Sequence, residues 1–236
     1  MKPSIKSLKI YVKESIFSDI EDIVNNDTVL IEQFLKDNYE ISGTYTIKNG
    51  VVDVKGNIHV KTPNVKSLTN GLFRFGKVKG VFYCGRCAIL KSLEDAPKEV
   101  GEHFDCSNCD SLISLKGAPV KVGGCFICCH CINLKTLKGA PKETGGGFWC
   151  DNCYSLTSLK GAPKEVGWDF NCTACSGLIF LKGAPREVKN GFWCDGCVSL
   201  TSLEGAPKEV GGDFHCSGCK NLKITDQDRK KYRIKD

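Results

Sequence analysis

The chain has 236 residues, of which 41% are hydrophobic, and this is enough for one or two domains with a sizeable core. Its net charge of +6 is modest, and much of it comes from lysines spaced evenly along the sequence. No run of 18 apolar residues occurs, so we expect neither a transmembrane helix nor a membrane partner.

The first seventeen residues are interpreted as a leader or flexible peptide. The segment MKPSIKSLKIYVKESIF lacks the apolar stretch and the small-residue cleavage site of a secretory signal. Without export the cysteines are expected to stay reduced, which favours a cytoplasmic location. An address peptide, a partner-binding peptide and a frayed end are alternatives that these residues leave open.

Residues 18–77 are predicted to form a small α+β cap. Residues 18–26 and residues 27–38 each predict a short helix. The apolar face of the first helix consists of Ile20, Ile23 and Val24. The apolar face of the second helix consists of Leu30, Ile31, Phe34 and Leu35.

A β-hairpin is predicted directly after these helices. The segment EISGTYTIKNGVVDVKGNIHV alternates apolar and polar residues on both sides of Asn49-Gly50, a dipeptide that favours a two-residue turn. Val60, Val65 and Leu68 then begin to imitate the apolar columns of the repeat that follows. We therefore expect the cap to end in a degenerate first coil.

Residues 78–225 repeat the 22-residue unit V-G-G-D-F-x-C-x-x-C-x-x-L-x-x-L-K-G-A-P-K-E. Fourteen of the sixteen cysteines form seven C-x-x-C pairs, which are Cys84 and Cys87, Cys106 and Cys109, Cys128 and Cys131, Cys150 and Cys153, Cys172 and Cys175, Cys194 and Cys197, and Cys216 and Cys219. An unbroken period of this length is typical of stacked coils, none of which can bury its apolar side alone.

The Phe, Val and two Leu positions of the unit form nearly uniform columns, which are expected to point inward. The Phe column is Phe82, Phe104, Phe126, Phe148, Phe170, Phe192 and Phe214. The recurring Ala-Pro dipeptide marks the turn of each coil. The pattern predicts a β-rich solenoid of about seven 22-residue coils, with the α+β cap at one end and a charged cap or tail, residues 226–236, at the other.

The order F-x-C-x-x-C-x-x-L-x-x-L-K-G-A-P-K-E-V-G resembles the leucine-rich repeat, and more closely its BspA-like, cysteine-containing form. The resemblance implies a right-handed solenoid in which a Cys after the strand bonds to the backbone of the neighbouring coil. Two features depart from that form: the period is 22 instead of 23, and an extra Cys lies three residues earlier. The near-identical V-G-G-D-F-x-C coils and the leader YVKESIF also resemble proteins of large bacteriophages of gut bacteria, which implies the host cytoplasm or the virion as location.

The paired cysteines admit three interpretations. Inward-facing thiols behave as small hydrophobic side chains, a Cys₄ zinc site needs two facing pairs, and a disulfide needs Cβ atoms closer than the roughly 4.8 Å between stacked strands. We favour the first, because every pair has the same sequence frame and seven pairs leave one over, so we expect no metal and no cofactor. Cys125 and Cys129 lie outside the pattern and are predicted to be outward-facing and either reactive or incidental.

Catalytic residues are not predicted anywhere in the chain. The four histidines, His59, His103, His130 and His215, are scattered, and no Ser or Cys lies in a recognisable nucleophile motif. The glycines serve turns instead of a phosphate-binding loop. We therefore expect a protein that is not an enzyme.

The position between the Phe and the first Cys of each unit varies, and it faces outward from the predicted strand. With its flanking positions it gives the partner-binding candidates Tyr83, His103, Asp105, Ile127, Trp149, Trp168, Asp169, Asn171, Trp193, Asp213 and His215. All three tryptophans fall on this predicted face, and exposed aromatics with a polar rim are typical of interaction hot spots. Alternatively, Trp149 and Trp193 pack on each other across the intervening coil and simply cover the sheet.

These observations favour a non-catalytic module that binds a protein partner, and the phage resemblance implies a bacterial host protein. A virion or structural assembly protein and a zinc- or redox-active multi-thiol protein remain as alternatives. The Lys-Glu or Arg-Glu dipeptides that follow most Ala-Pro turns lie on the edge of the solenoid opposite the variable strand face, and they are interpreted as a solvated edge. The tail carries five basic residues and three aspartates, which are weak grounds for nucleic-acid binding.

Overall fold

The computed structural model describes residues 27–235, so the leader and the first predicted helix lie outside the described residues. The helices are α1 (residues 27–38) and α2 (Asp226–Lys231). The strands are β1 (Tyr39–Ile41), β2 (Tyr45–Lys48), β3 (Val51–Val54), β4 (Ile58–Val60), β5 (Arg74–Val78), β6 (Phe82–Tyr83), β7 (Glu99–Val100), β8 (Phe104–Asp105), β9 (Lys121–Val122), β10 (Phe126–Ile127), β11 (Glu143–Thr144), β12 (Phe148–Trp149), β13 (Glu165–Val166), β14 (Phe170–Asn171), β15 (Glu187–Val188), β16 (Phe192–Trp193), β17 (Glu209–Val210), β18 (Asp213–His215) and β19 (Arg233–Lys235). Neither helix is long and apolar enough within this range to cross a membrane.

The strands build two long sheets. Ten strands form the Phe sheet, in the order β1-β4-β6-β8-β10-β12-β14-β16-β18-β19, and nine form the Val sheet, in the order β17-β15-β13-β11-β9-β7-β5-β3-β2. All neighbours are parallel except β1 with β4 and β2 with β3. Equivalent residues of successive coils are register partners, as Phe126 is with Phe104 and Phe148. The protein is thus a β-solenoid of about eight coils, which confirms the predicted fold class.

The column of seven phenylalanines, Phe82 to Phe214, forms the centre of the core. Their rings are fully buried and stacked, with centroids 4.9 to 5.6 Å apart and planes 6° to 19° from parallel. At the N-terminal end the ring of Phe75 meets Phe82 edge-on at 5.3 Å, and at the C-terminal end Tyr232 lies tilted on Phe214 at 4.8 Å. Non-repeating aromatics therefore terminate the stack at both ends.

The K-G-A-P turn closes most coils and explains why Gly precedes Ala-Pro. Gly117, Gly139 and the three later equivalents adopt φ between 83° and 99°, a region that side chains rarely enter. A Cβ on Gly117 would lie 2.2 Å from the backbone of Glu94 in the preceding coil. Glycine is required at this turn both by its φ and by the close approach of the neighbouring coil.

The N-terminal cap closes one end of the solenoid. In α1, Ile31 and Leu35 are buried and Phe34 is partly buried, as predicted, but Leu30 is 52% exposed. The prediction for Leu30 was wrong, because α1 packs against the rest of the cap through Ile31, Phe34 and Leu35, and Leu30 lies outside that contact. The Tyr39 hydroxyl, just after the helix, donates to the Leu68 carbonyl and anchors the helix to the first coil.

The predicted hairpin is confirmed. Lys48 and Val51 are register partners, so the turn consists of Asn49 and Gly50 alone, with φ of 52° and 68°. The strand β3 then joins the Val sheet, where Val54 pairs with Val78.

The degenerate first coil is also confirmed, and it accounts for the eighth coil. Ile58 is the register partner of Phe82 and is fully buried in its place. Leu68 is buried, and Val60 and Val65 are partly buried against the core.

Residues 226–235 of the C-terminal tail form a cap made of α2 and β19. Thr225 and Asp228 form a capping box at the start of α2. The strand β19 then adds to the Phe sheet in parallel with β18. The Tyr232 hydroxyl donates to the carbonyl of Pro207 at 2.6 Å, which fastens this cap to the last complete turn.

Candidate protein-interaction surface

The strands of the Phe sheet carry their one variable position in register. We call this row the variable column, and its members are Glu40, His59, Tyr83, Asp105, Ile127, Trp149, Asn171, Trp193, His215 and Lys235. Within the repeats each member lies between a buried Phe and a buried Cys, so its side chain points away from the core. All are half-buried or exposed. The column therefore contains the partner-binding candidates that were predicted to lie between the Phe and the first Cys of each unit.

Each tryptophan of the column lies over the glycine that directly precedes its strand. A Cβ added to Gly147 would be 2.6 Å from Nε1 of Trp149, and one added to Gly191 would be 2.7 Å from Nε1 of Trp193. The glycine two residues earlier faces the same side of the strand, so it leaves space for the indole to lie along the backbone. Because the backbone supports each indole, its orientation is restricted before any partner binds.

The two tryptophans do not cover one another, as the alternative interpretation of this face required. Asn171 lies between them in register. The indole of Trp193 stacks on the His215 imidazole, with centroids 3.5 Å apart and planes 2° from parallel. Trp149 is 36% exposed and makes no ring contact among residues 27–235.

Acidic and amide side chains around the tryptophans are held by backbone N–H groups. Oδ1 of Asp169 accepts from the Gly191 N–H at 2.7 Å and from the Asn190 side chain at 2.8 Å. Oδ1 of Asn171 accepts from the N–H of Thr173 at 2.9 Å.

Two further aspartates are held in the same way. Oδ1 of Asp105 accepts from the Ser107 N–H at 2.8 Å, and Oδ1 of Asp195 accepts from the Ser217 N–H at 2.7 Å. One oxygen of each of these carboxylates thus accepts a hydrogen bond from a backbone N–H, which orients the side chain.

The remaining predicted candidates flank the column. Nδ1 of His103 accepts from the N–H of Cys125 at 2.9 Å, and Asp213 lies 3.8 Å from the Lys235 ammonium. Trp168 is 57% exposed but belongs to the turn between β13 and β14, so the prediction that all three tryptophans lie on the strand face is wrong for this residue. The chain changes direction at this corner, which places Trp168 at the margin of the surface.

The cysteines are free thiols that form part of the solenoid wall. In six of the coils the second Cys donates its S–H to the backbone carbonyl of the first Cys of the preceding coil at 3.1 to 3.3 Å, as Cys109 does to Cys84 and Cys131 to Cys106. This bond to the neighbouring backbone is the role that the resemblance implied for such a Cys. It explains why the second thiol recurs in every unit, while the first recurs as a small buried side chain.

The first thiol of most pairs is poorly suited to ionise, because its pKa is raised. Burial raises the pKa of the Cys84 and Cys128 thiols well above the ordinary value. Among the described residues, no three His, Cys, Asp or Glu side chains are grouped so as to hold one metal ion.

Cys125 and Cys129, which were expected to face outward, are both half-buried. The Cys129 thiol donates to Oδ1 of Asp151 at 2.7 Å, and burial, followed by this bond, raises its pKa. The Cys125 sulfur accepts from the N–H of Gly147 at 3.2 Å. Neighbouring coils thus partly cover both thiols, and the chemistry of Cys129 is that of a protonated thiol instead of a nucleophile.

Sequence reasoning missed two groups of exposed residues. The variable column extends at both ends beyond the repeats, to His59 and Glu40 on one side and to Lys235 on the other. A second group of apolar side chains, 38 to 58% exposed, lies on the C-x-x-L side of the coils and consists of Ile113, Ile132, Tyr154, Ile179 and Val198. The position after the second Cys varies at the same 22-residue period, and this signal would have identified three of them.

The lysine- and glutamate-rich edge forms exposed ion pairs. Lys116 lies 2.6 Å from Glu94 of the preceding coil, and the side chains are 75% and 56% exposed. Such pairs contribute little to stability, typically less than about 1 kcal/mol. The edge is solvated, as the alternation of charge predicted.

No family model, no curated protein and no solved structure matches the chain.

Proposed function

We propose that this chain is a non-catalytic protein-interaction module that binds its partner through the variable column of the Phe sheet. One observation carries the proposal: in an array of nearly identical coils, the outward position of the Phe-sheet strands varies from coil to coil and presents the indoles of Trp149 and Trp193. Variation in an otherwise uniform array is expected where each coil meets a different part of a partner.

The surface also has the physical properties of a binding site. Tryptophans are enriched among interface residues whose loss costs about 2 kcal/mol or more of binding energy. The indoles of Trp149 and Trp193 are supported by glycine and, for Trp193, by His215. A preorganised side chain loses less conformational entropy on binding, so more of its contact energy contributes to affinity.

The resemblance of the coils to phage proteins extends the proposal to the class of partner. We propose a protein of the bacterial host, met in the host cytoplasm. This extension is supported by the sequence alone.

The test is a pull-down from lysates of gut bacteria with the wild-type chain, a Trp149→Ala/Trp193→Ala variant and a control. The matched control is Ile132→Ala/Tyr154→Ala, which removes two exposed side chains from the C-x-x-L side of the same coils. We expect the control to retain the partners of the wild type and the tryptophan variant to lose them, with all three chains showing the same circular dichroism spectrum.

Two results would contradict the proposal. One is a set of partners that the tryptophan variant retains with unchanged affinity. The other is a set of partners that only the control variant loses, which would show that the partners bind on the C-x-x-L side.

A further inference from the structure

The charges around the two tryptophans are of one sign. In the six coils from residue 103 to residue 217, the five-residue segments that begin just before each Phe contain five aspartates and no lysine or arginine. These aspartates are Asp105, Asp151, Asp169, Asp195 and Asp213. The chain as a whole carries a charge of +6, so its positive charge lies elsewhere and this face is locally acidic.

Four of these carboxylates have no basic partner within the described part of the chain. The exception is Asp213, which pairs with Lys235. Asp105, Asp169 and Asp195 each accept hydrogen bonds with Oδ1. Their Oδ2 atoms form no hydrogen bond or ion pair with the described residues. Asp151 accepts from the Cys129 thiol and from the Asn152 amide, which are both neutral groups. The negative charge of the face is therefore uncompensated.

Besides the negative charge, the two tryptophans favour the binding of a flat cation. Trp149 and Trp193 are two strands apart, which corresponds to roughly 9.6 Å along the column. Asn171 lies between them in register. Asp169 directly precedes the strand of Asn171 and accepts from the Gly191 N–H, whereas Asp195 follows the strand of Trp193 and accepts from the Ser217 N–H of the next coil. A cation over an indole is attracted by the electron-rich ring face, and a planar guanidinium can also stack on it.

We propose that the partner presents an extended segment with arginine side chains, one of which is bound between Trp149 and Trp193 with its guanidinium paired to Asp169. This inference rests on the proposed function, because it names the chemistry of the partner for the same surface. Arginine fits better than lysine, because its planar fork can stack on indole and donate two hydrogen bonds to one carboxylate.

The test uses synthetic peptides of glycine and serine that carry three arginines. Matched peptides carry three lysines, three citrullines or three glutamates in the same positions, and citrulline keeps the shape of arginine without its charge. Binding to the full chain is measured by fluorescence anisotropy of a label on the peptide, at low and at high salt. We expect the arginine peptide to bind, the lysine peptide to bind several-fold more weakly, and the other two not to bind.

Substitutions in the chain test where the arginine peptide binds. We expect Trp149→Ala/Trp193→Ala and Asp169→Asn/Asp195→Asn each to weaken the arginine peptide by about tenfold or more. The asparagine variants keep an oxygen for the backbone N–H groups, so the fold is retained. The charge-matched control is Glu143→Gln/Glu165→Gln on the Val sheet, which we expect to change affinity by less than about twofold, since it lies off the surface.

Two outcomes overturn the inference: equal binding of the citrulline and arginine peptides, or affinity that the aspartate and tryptophan variants retain. Either can occur while the pull-down still depends on Trp149 and Trp193, in which case the interaction surface stands and only the arginine-bearing partner is wrong. A pull-down that ignores these tryptophans contradicts the proposed function itself, so the two failures are distinct.

Discussion

The indole of Trp193 lies flat on the imidazole of His215, with ring centroids 3.5 Å apart and planes 2° from parallel. The two residues belong to neighbouring strands of the Phe sheet and are register partners. The contact covers one face of the indole and leaves the other toward Asn171 and Trp149. The two tryptophans of the surface are therefore unequal, since one is supported by a ring and the other only by its glycine.

This contact predicts the effect of replacing His215. We expect His215→Ala to lower the free energy of unfolding by about 0.5–1.5 kcal/mol, because a stacked aromatic pair is lost. His215→Phe keeps a ring over Trp193 and is expected to retain most of that energy. Urea unfolding followed by circular dichroism measures both. Equal loss in the two variants would show that stacking does not hold the indole.

The Phe ladder predicts where the solenoid is most sensitive to substitution. Phe148 is fully buried and stacks on both neighbours, at 5.2 and 5.5 Å. We expect Phe148→Ala to cost about 3–5 kcal/mol, because it removes a large buried side chain and leaves a cavity. The control Tyr154→Ala, at a 48% exposed ring, should change stability by no more than about 0.5 kcal/mol. A loss at Phe148 as small as that of the control would contradict a continuous core.

The C-x-x-C turn predicts a stabilising substitution. The residue before the second Cys has positive φ in every coil, and it is glycine at Gly196 and Gly218 but alanine at Ala174, with φ 57°. An L-residue in this region is strained by roughly 1–2 kcal/mol. We expect Ala174→Gly to stabilise the protein by about 0.5–1 kcal/mol, because relief of strain exceeds the added entropy of the unfolded chain.

The matched control is the reverse change one coil later. Gly196→Ala, at φ 64°, should destabilise by about 1 kcal/mol. The melting temperatures of the two variants should therefore move in opposite directions. A shared direction would show that the turn does not impose this backbone conformation.

The burial of the thiols predicts their reactivity. Thirteen of the sixteen cysteines are buried, and only Cys125, Cys129 and Cys219 are half-buried. We expect a thiol reagent such as dithiobis-nitrobenzoate to react with no more than these three in the native protein and with all sixteen after unfolding. Cys129 should react slowly, because its pKa is raised.

Metal chelation gives a second readout of the same thiols. Because the second thiol of a pair is hydrogen-bonded to a backbone carbonyl, we expect a strong zinc chelator to leave the melting temperature unchanged. Unfolding by the chelator, or stoichiometric zinc in the purified protein, would overturn the structural role of the cysteines.

Much of the fold could be predicted from the sequence because the chain repeats. When identical coils stack in register, each position meets its own equivalents above and below, so one residue type defines one environment along the whole column. The period, the buried Phe column and the Asn49-Gly50 turn all followed from this or from local turn chemistry. The positions of the outward residues Trp149 and Trp193 followed as well, since side chains alternate along a strand.

The sequence by itself therefore determined the coil, its inward columns and the row on which the aromatic residues lie. Only the tertiary structure decided what happens where neighbours differ or where the repeat ends. The placement of Trp168 depends on how the chain turns at a corner, and the partial cover of Cys129 depends on Asp151 in the next coil. The stacking of Trp193 on His215 depends on the rotamers that two adjacent strands permit. The 22-residue period makes these residues neighbours, but it does not specify which contact two unlike side chains form, because that depends on their rotamers.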